Sequence, residues 1–170
     1  MPTFLPIVNE RDEVIGAKAK EVCGPDDITR VSGLFLYTPK HEVLIAKRVM
    51  TKQHDPGKWS YGVAGTVEEG ETYLSNILKE AEEEIGLVLK SEDVREVYHG
   101  YFETSHKFFY TQYAAETDLP ITAFRRQIDE VDELRFVPAE ELWRWIEERP
   151  EDFVHSMPRV SALLWQGLGW

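Results

Sequence analysis

Apolar positions along the chain follow two periods. Leu74, Ile77, Leu78, Ala81 and Ile85 recur every three or four residues and form the stripe of an amphipathic helix. Thr72 reads as its N-cap and Gly86 as its left-handed stop. Elsewhere strand patterns dominate. Phe4–Val8 and Val14–Ala17 read as a hairpin around Asn9–Asp12, and Cys23–Asp27 as a loop. Arg30–Tyr37 and Glu42–Val49 read as paired core strands joined at Thr38–His41. Gln53–Lys58 is a polar loop, and Trp59–Ala64 leads towards the helix. Val94–Glu103, Lys107–Ala115 and Leu134–Val137 are β-favouring segments. Pro138 at a first helical position, Glu140 and Glu141 in the first turn and Pro150 beyond the end predict a second helix. A last helix is expected over Arg159–Gln166. The sum is a mixed α/β domain, residues 1–170, with an N-terminal β-hairpin extension.

The polar side of the first helix carries the chemistry. Glu80, Glu83 and Glu84 stand at i, i+3 and i+4 and project from one face. Like charges on adjacent turns repel, and a helix selected only for stability would avoid them. A divalent cation removes the penalty, because carboxylate oxygens are the ligands Mg²⁺, Mn²⁺ and Ca²⁺ prefer. Gly65 and Gly70 permit a tight loop before the helix, and Glu71 adds a carboxylate to it.

Charge narrows the partners. The net charge of −12, from 31 acidic and 19 basic residues, argues against a broad nucleic-acid surface or binding to anionic membranes. A small phosphorylated substrate stays compatible, since a metal and a few local cations can outweigh the global field at one site. No apolar run reaches the roughly 18 residues of a membrane span. The N-terminus lacks the pattern of a signal peptide, and the single Cys23 cannot form an internal disulfide. These features lead us to expect a cytoplasmic location.

The segment Gly65–Leu87, GTVEEGETYLSNILKEAEEEIGL, resembles the Nudix box. Gly65, Glu71, Glu80, Ala81, Glu83, Glu84, Gly86 and Leu87 fall in register with that pattern. Lys79 departs from it, standing where the family has Arg. The resemblance implies a mixed sheet sandwiched between helices and a Mg²⁺- or Mn²⁺-dependent pyrophosphohydrolase. It further implies Glu80, Glu83 and Glu84 as metal ligands, with one of them, Glu83 or Glu80, able to act as base. The Ala64 carbonyl is implied as a further ligand, and Glu71 as a supporting, outer residue. Lys79 keeps the charge of Arg but loses its bidentate fork, so a looser site is expected. Many family members take another carboxylate from a loop downstream. Glu130 and Glu133, in the acidic run 129–133 before the Leu134 strand, are the candidates, set against a plain solvated loop.

Arg48, Lys52 and Lys58 are the cations placed to hold a diphosphate, with ordinary surface charge as the alternative for each. Tyr61, Tyr101, Phe102 and Phe109 could stack on a base, although strand aromatics more often pack a core. Outside the box, VNERDEVIG, LIAKR and PGKW are similar to proteins of the isopentenyl-diphosphate isomerase branch. That chemistry needs a Cys and a metal-binding His where this chain has Ala64 and Thr66. Hydrolysis of a nucleoside diphosphate-linked or related diphosphate is therefore preferred over isomerisation. A non-catalytic nucleotide-binding module is a third possibility, disfavoured by the intact glutamates. The expected partner is a small-molecule diphosphate.

Overall fold

A ten-residue strand, β3 (Ile28–Tyr37), organises a nine-stranded sheet in the computed structural model, which describes residues 1–170. On one flank β3 pairs in parallel along its whole length with β8 (Lys107–Glu116). β8 in turn pairs antiparallel with β7 (Arg95–Glu103). On the other flank β3 meets β6 (Val63–Thr66) over Val31–Leu34. β4 (Glu42–Arg48) touches β3 only at Tyr37–Val43, then runs with β5 (Trp59–Tyr61) and β9 (Val131–Pro138). The expected pairing of β3 and β4 across Thr38–His41 is present but confined to the turn end. Both flanks of β3 are filled, by β6 and β8, so β4 can share only the turn.

The segment that leads towards the first helix holds two short strands, Trp59–Tyr61 and Val63–Thr66, broken at Gly62. β5 belongs to β4 and β6 to β3, so the chain crosses between neighbours there. A β-carbon at Gly62 would approach Leu44 Cδ2 to 3.3 Å. β9 begins three residues earlier than the apolar pattern suggests, which draws Asp132 and Glu133 out of the acidic loop and into the sheet.

Strand alternation places successive side chains on opposite faces. Phe35, Val43 and Ile45 pack under α2 (Ala139–Glu148) and α3 (Met157–Leu168), with Leu142, Ile146 and Leu164. Leu34, Leu36 and Leu44 pack under α1 (Tyr73–Ile85), with Ile77, Ala81 and Ile85. The sheet is therefore sandwiched between helices, as expected. Pro138 ends β9 and α2 starts at Ala139, one residue after the position read from Pro138. Trp143 packs on Trp165, joining the last two helices, and Trp145 packs on Phe153 in the segment between them.

The N-terminal extension is the expected hairpin, formed by β1 (Phe4–Val8) and β2 (Val14–Ala19) with a bulge at Ile7–Val8. Arg30 holds its turn through Asp12 at 2.7 Å, and the Tyr73 hydroxyl donates to the same carboxylate at 2.8 Å. The hairpin is thereby tied to the first turn of α1. No helix is long and apolar enough to cross a membrane.

Candidate active site

The start of α1 is fixed before its glutamates are reached. Thr72 and Ser75 form a reciprocal capping box, and Gly86 closes the helix in the left-handed conformation at φ 69°. Ile77, Ala81 and Ile85 are fully buried and clamp the apolar face to the sheet. The opposite face meets β6 at Gly65. A β-carbon there would lie 2.5 Å from Glu80 Cγ and 2.6 Å from its Cδ, so only glycine lets Glu80 lie against the strand.

Burial makes these carboxylates reluctant anions. Glu84 is pushed up to about 8, first by desolvation and then by the charge of Glu80, against the pull of Lys52, the Ala64 N–H and Arg48. Glu80 is raised too, again mainly by desolvation, with Lys79 opposing and Glu83 adding to the shift. Glu83 is exposed. The repulsion read from the spacing is therefore concentrated on the inward pair, Glu80 and Glu84.

A polar network supports the pair from the N-terminal side. Glu71 accepts hydrogen bonds from the Glu68 N–H and from Asn76 Nδ2, each at 2.9 Å. Lys79 Nζ lies 2.7 Å from Glu71, 3.6 Å from Glu68 and 4.0 Å from Glu80. Burial opposes the Lys79 charge, but the Glu71 hydrogen bond and the surrounding carboxylates outweigh it and raise its pKa. The same contacts outweigh desolvation at Glu71 and hold its carboxyl low. Lys79 is an engaged residue, centred on Glu71 and reaching Glu80 only at the limit of an ion pair.

Asn76, which sequence reasoning missed, is the hub. It is fully buried, donates to Thr66 O at 3.2 Å and to Glu80 at 3.5 Å as well as to Glu71, and accepts from the Ser32 hydroxyl at 2.5 Å. Its signal was present in the spacing, since Asn76, Glu80 and Glu84 form one i, i+4, i+8 row.

The structure sorts the remaining candidates. Arg48, Ala64, Glu84 and Glu130 line one small cleft, together with Lys47 and Ser60. Lys52 forms an ion pair with Glu130 at its edge. Desolvation, with the charge of Arg48, lowers the Lys52 pKa. Lys58 instead donates to the Glu151 carbonyl. Glu133 pairs with Arg135 at 2.8 Å on β9 and does not line the cleft. Glu130 is carried there by a docked loop. The Arg125 and Gln127 N–H groups cap the Ile85 and Glu84 carbonyls at 2.9 and 2.8 Å, satisfying acceptors that a helix C-terminus leaves open. Tyr61 and Phe102 are buried and Tyr101 is exposed.

The donor set suits a hard divalent cation. It is all oxygen, two of its carboxylates are desolvated beside each other, and the cleft is open to solvent-borne phosphate oxygens. No three histidine, cysteine or acidic side chains converge at metal-binding spacing.

The model of the NUDIX domain matches residues 27–162. This chain belongs to the Nudix family. Nudix hydrolases act on acid anhydrides, generally with divalent metals such as Mg²⁺ or Mn²⁺, and the chain is an enzyme of that class. An uncharacterised Nudix hydrolase of Pseudomonas aeruginosa is 29% identical over 137 residues, 78% of this chain and 77% of the relative. A prenyl-diphosphate phosphatase of Methanosarcina mazei is 28% identical over 157 residues, 88% of each chain. A crystal structure of a Deinococcus radiodurans protein superposes with a TM-score of 0.77, covering 94% of this chain and 97% of that one at 23% identity, and shares the Nudix fold.

Proposed function

We propose that this Nudix enzyme hydrolyses a nucleoside diphosphate-linked or related diphosphate, using Mg²⁺ or Mn²⁺. The observation that carries this reading is the desolvated pair Glu80–Glu84, held against Gly65 and Ala64 beside the cations Arg48 and Lys52. Glu80 and Glu84, with exposed Glu83 and the Ala64 carbonyl, would hold the ion. When bound, it would neutralise phosphate charge and lower the pKa of a coordinated water.

The chain's own groups do the rest. Arg48 and Lys52 orient the diphosphate and offset its charge. A carboxylate lining the cleft or on the adjoining face of α1 takes the proton of the attacking water. Glu83, Glu80 and Glu130 are the candidates, with Glu130 held ready by its Lys52 partner. Glu133, turned towards Arg135, is the weakest of the candidates. Asn76, Glu71 and Lys79 fix the Glu80 carboxylate without touching substrate.

The similarity to the isomerase branch bears on substrate more than on chemistry. Ala64 lines the cleft where that branch needs a thiol. Cys23 donates to the Ala19 carbonyl at 3.5 Å in the N-terminal extension and is absent from the cleft lining. The prenyl-diphosphate phosphatase among the relatives keeps alkyl diphosphates within the range of related substrates.

The test is phosphate release from nucleotide, sugar-nucleotide, dinucleotide and alkyl diphosphates with Mg²⁺, with Mn²⁺ and with chelator. Turnover of at least one diphosphate that disappears with chelator is expected. Turnover unaffected by chelator, or isomerisation without hydrolysis, contradicts the proposal.

A further inference from the structure

Beside the acidic cleft lies a second space of different chemistry. It is a cavity of about 170 Å³ in which ten of the twelve lining residues are hydrophobic. Val31, Phe102, Phe108 and Tyr110 form its sheet side, and Met157 and Val160 of α3 close it. Ser60, Tyr61 and Ala64 line both this cavity and the cleft that holds Glu84, Glu130 and Arg48. Ala64 is small and exposed, so the two spaces meet at the strand next to Glu80 and Glu84.

The polar atoms of the cavity are mostly spent. The Tyr61 hydroxyl is bonded to Ser161 and the Tyr110 hydroxyl to Gln112 Oε1, leaving Ser60 and Ser156 as the only other polar side chains in the lining. A nucleobase would enter with several donors and acceptors and few partners. Each polar group buried unpaired lowers affinity about tenfold or more. An apolar group suffers no such loss. As a gauge of size, an apolar cavity of about 150 Å³ holds a benzene molecule.

Resting on the hydrolytic reading above, we infer that the substrate is the diphosphate monoester of a five- or six-carbon apolar alcohol. Its carbon tail occupies the cavity and its diphosphate crosses Ala64 into the acidic cleft. Water adds to the terminal phosphorus, and the bond from that phosphorus to the bridging oxygen breaks. Orthophosphate and the alkyl monophosphate leave, and the proton of the water passes to a cleft carboxylate. No oxidant or reductant is involved. Met157 and Val160 set the length limit from α3.

The experiment compares methyl, isopentenyl and geranyl diphosphates and ADP-ribose as substrates with Mg²⁺. Each buried carbon improves kcat/KM by about fourfold, so isopentenyl diphosphate should exceed methyl diphosphate on the order of a hundredfold. It should also exceed geranyl diphosphate and ADP-ribose. Val160→Trp, which fills the cavity, should raise KM for isopentenyl diphosphate about tenfold or more and cut its advantage over methyl diphosphate by the same factor. Val160→Ala should narrow the gap to geranyl diphosphate, and covers the case in which the tryptophan variant does not fold. ADP-ribose or methyl diphosphate equal to isopentenyl diphosphate overturns the inference and leaves the hydrolase reading standing. If nothing is hydrolysed, tighter calorimetric binding of isopentenyl than of methyl diphosphate supports the cavity assignment while the hydrolytic reading falls. Equal binding overturns the inference as well.

Discussion

Glu80 lies across the backbone of Gly65 so closely that a β-carbon on residue 65 would sit 2.5 Å from the glutamate Cγ. The glycine that opens the box and a carboxylate from the middle of its helix are thus one structural unit. Glu80 is the far end of a flexible side chain, so Gly65→Ala should displace it without breaking the sheet. We expect kcat to fall about tenfold to a hundredfold and the Mg²⁺ concentration for half activity to rise. The melting temperature should change little. Steady-state kinetics across a Mg²⁺ series checks this, and unaltered kinetics would separate the packing of Glu80 from catalysis.

Lys79 holds Glu71 at 2.7 Å and barely reaches Glu80 at 4.0 Å. A guanidinium can bridge two carboxylates where an ammonium is centred on one. Lys79→Arg should therefore lower the Mg²⁺ concentration for half activity by a few-fold and raise kcat modestly. Lys79→Ala should shift both the other way. Side-by-side Mg²⁺ titrations of the three proteins decide it, and an indifferent alanine variant would return Lys79 to the status of an ordinary surface charge.

Glu84 also couples the site to stability. Its folded pKa of about 8 lies above the ordinary 4.5, so the native state keeps a proton that the unfolded chain has released. Its contribution is greatest below about pH 4.5, is lost as pH rises towards about 8, and is constant above that. Glu84→Gln replaces the carboxyl by an uncharged group of the same shape and removes this dependence. In chelator, the melting temperature of the variant should gain on the wild type between pH 5 and pH 8. Mg²⁺ should recover the wild-type loss at pH 8. A pH-independent difference between the two proteins would show that Glu84 ionises in the fold as it does in the unfolded chain.

Local signals made α1 legible from sequence. Its stripe, its Thr72 cap, its Gly86 stop and its glutamate row are encoded within a few turns of chain. The N-terminal hairpin was legible for the same reason. Pairing at long range was not. β4 leaves β3 because β6 and β8 occupy the flanks, and no residue in the Thr38–His41 turn announces that. The reach of Glu130 into the cleft, and the turn of Glu133 towards Arg135, depend on where β9 starts and on a loop docked on α1. The apolar cavity was invisible because its walls come from residues 31 to 160, and its aromatics read as core. Asn76 was overlooked although it continues the carboxylate row, because a lone amide beside an apolar stripe attracts no attention by type.

We propose that the carboxylates on α1 form a divalent-metal site for diphosphate hydrolysis. The most direct measurement is Mg²⁺-dependent phosphate release by Glu84→Gln, on a diphosphate that the wild type turns over, with melting curves recorded in parallel. Turnover should fall about a hundredfold or more in a protein that remains folded. Wild-type turnover in that variant would contradict it.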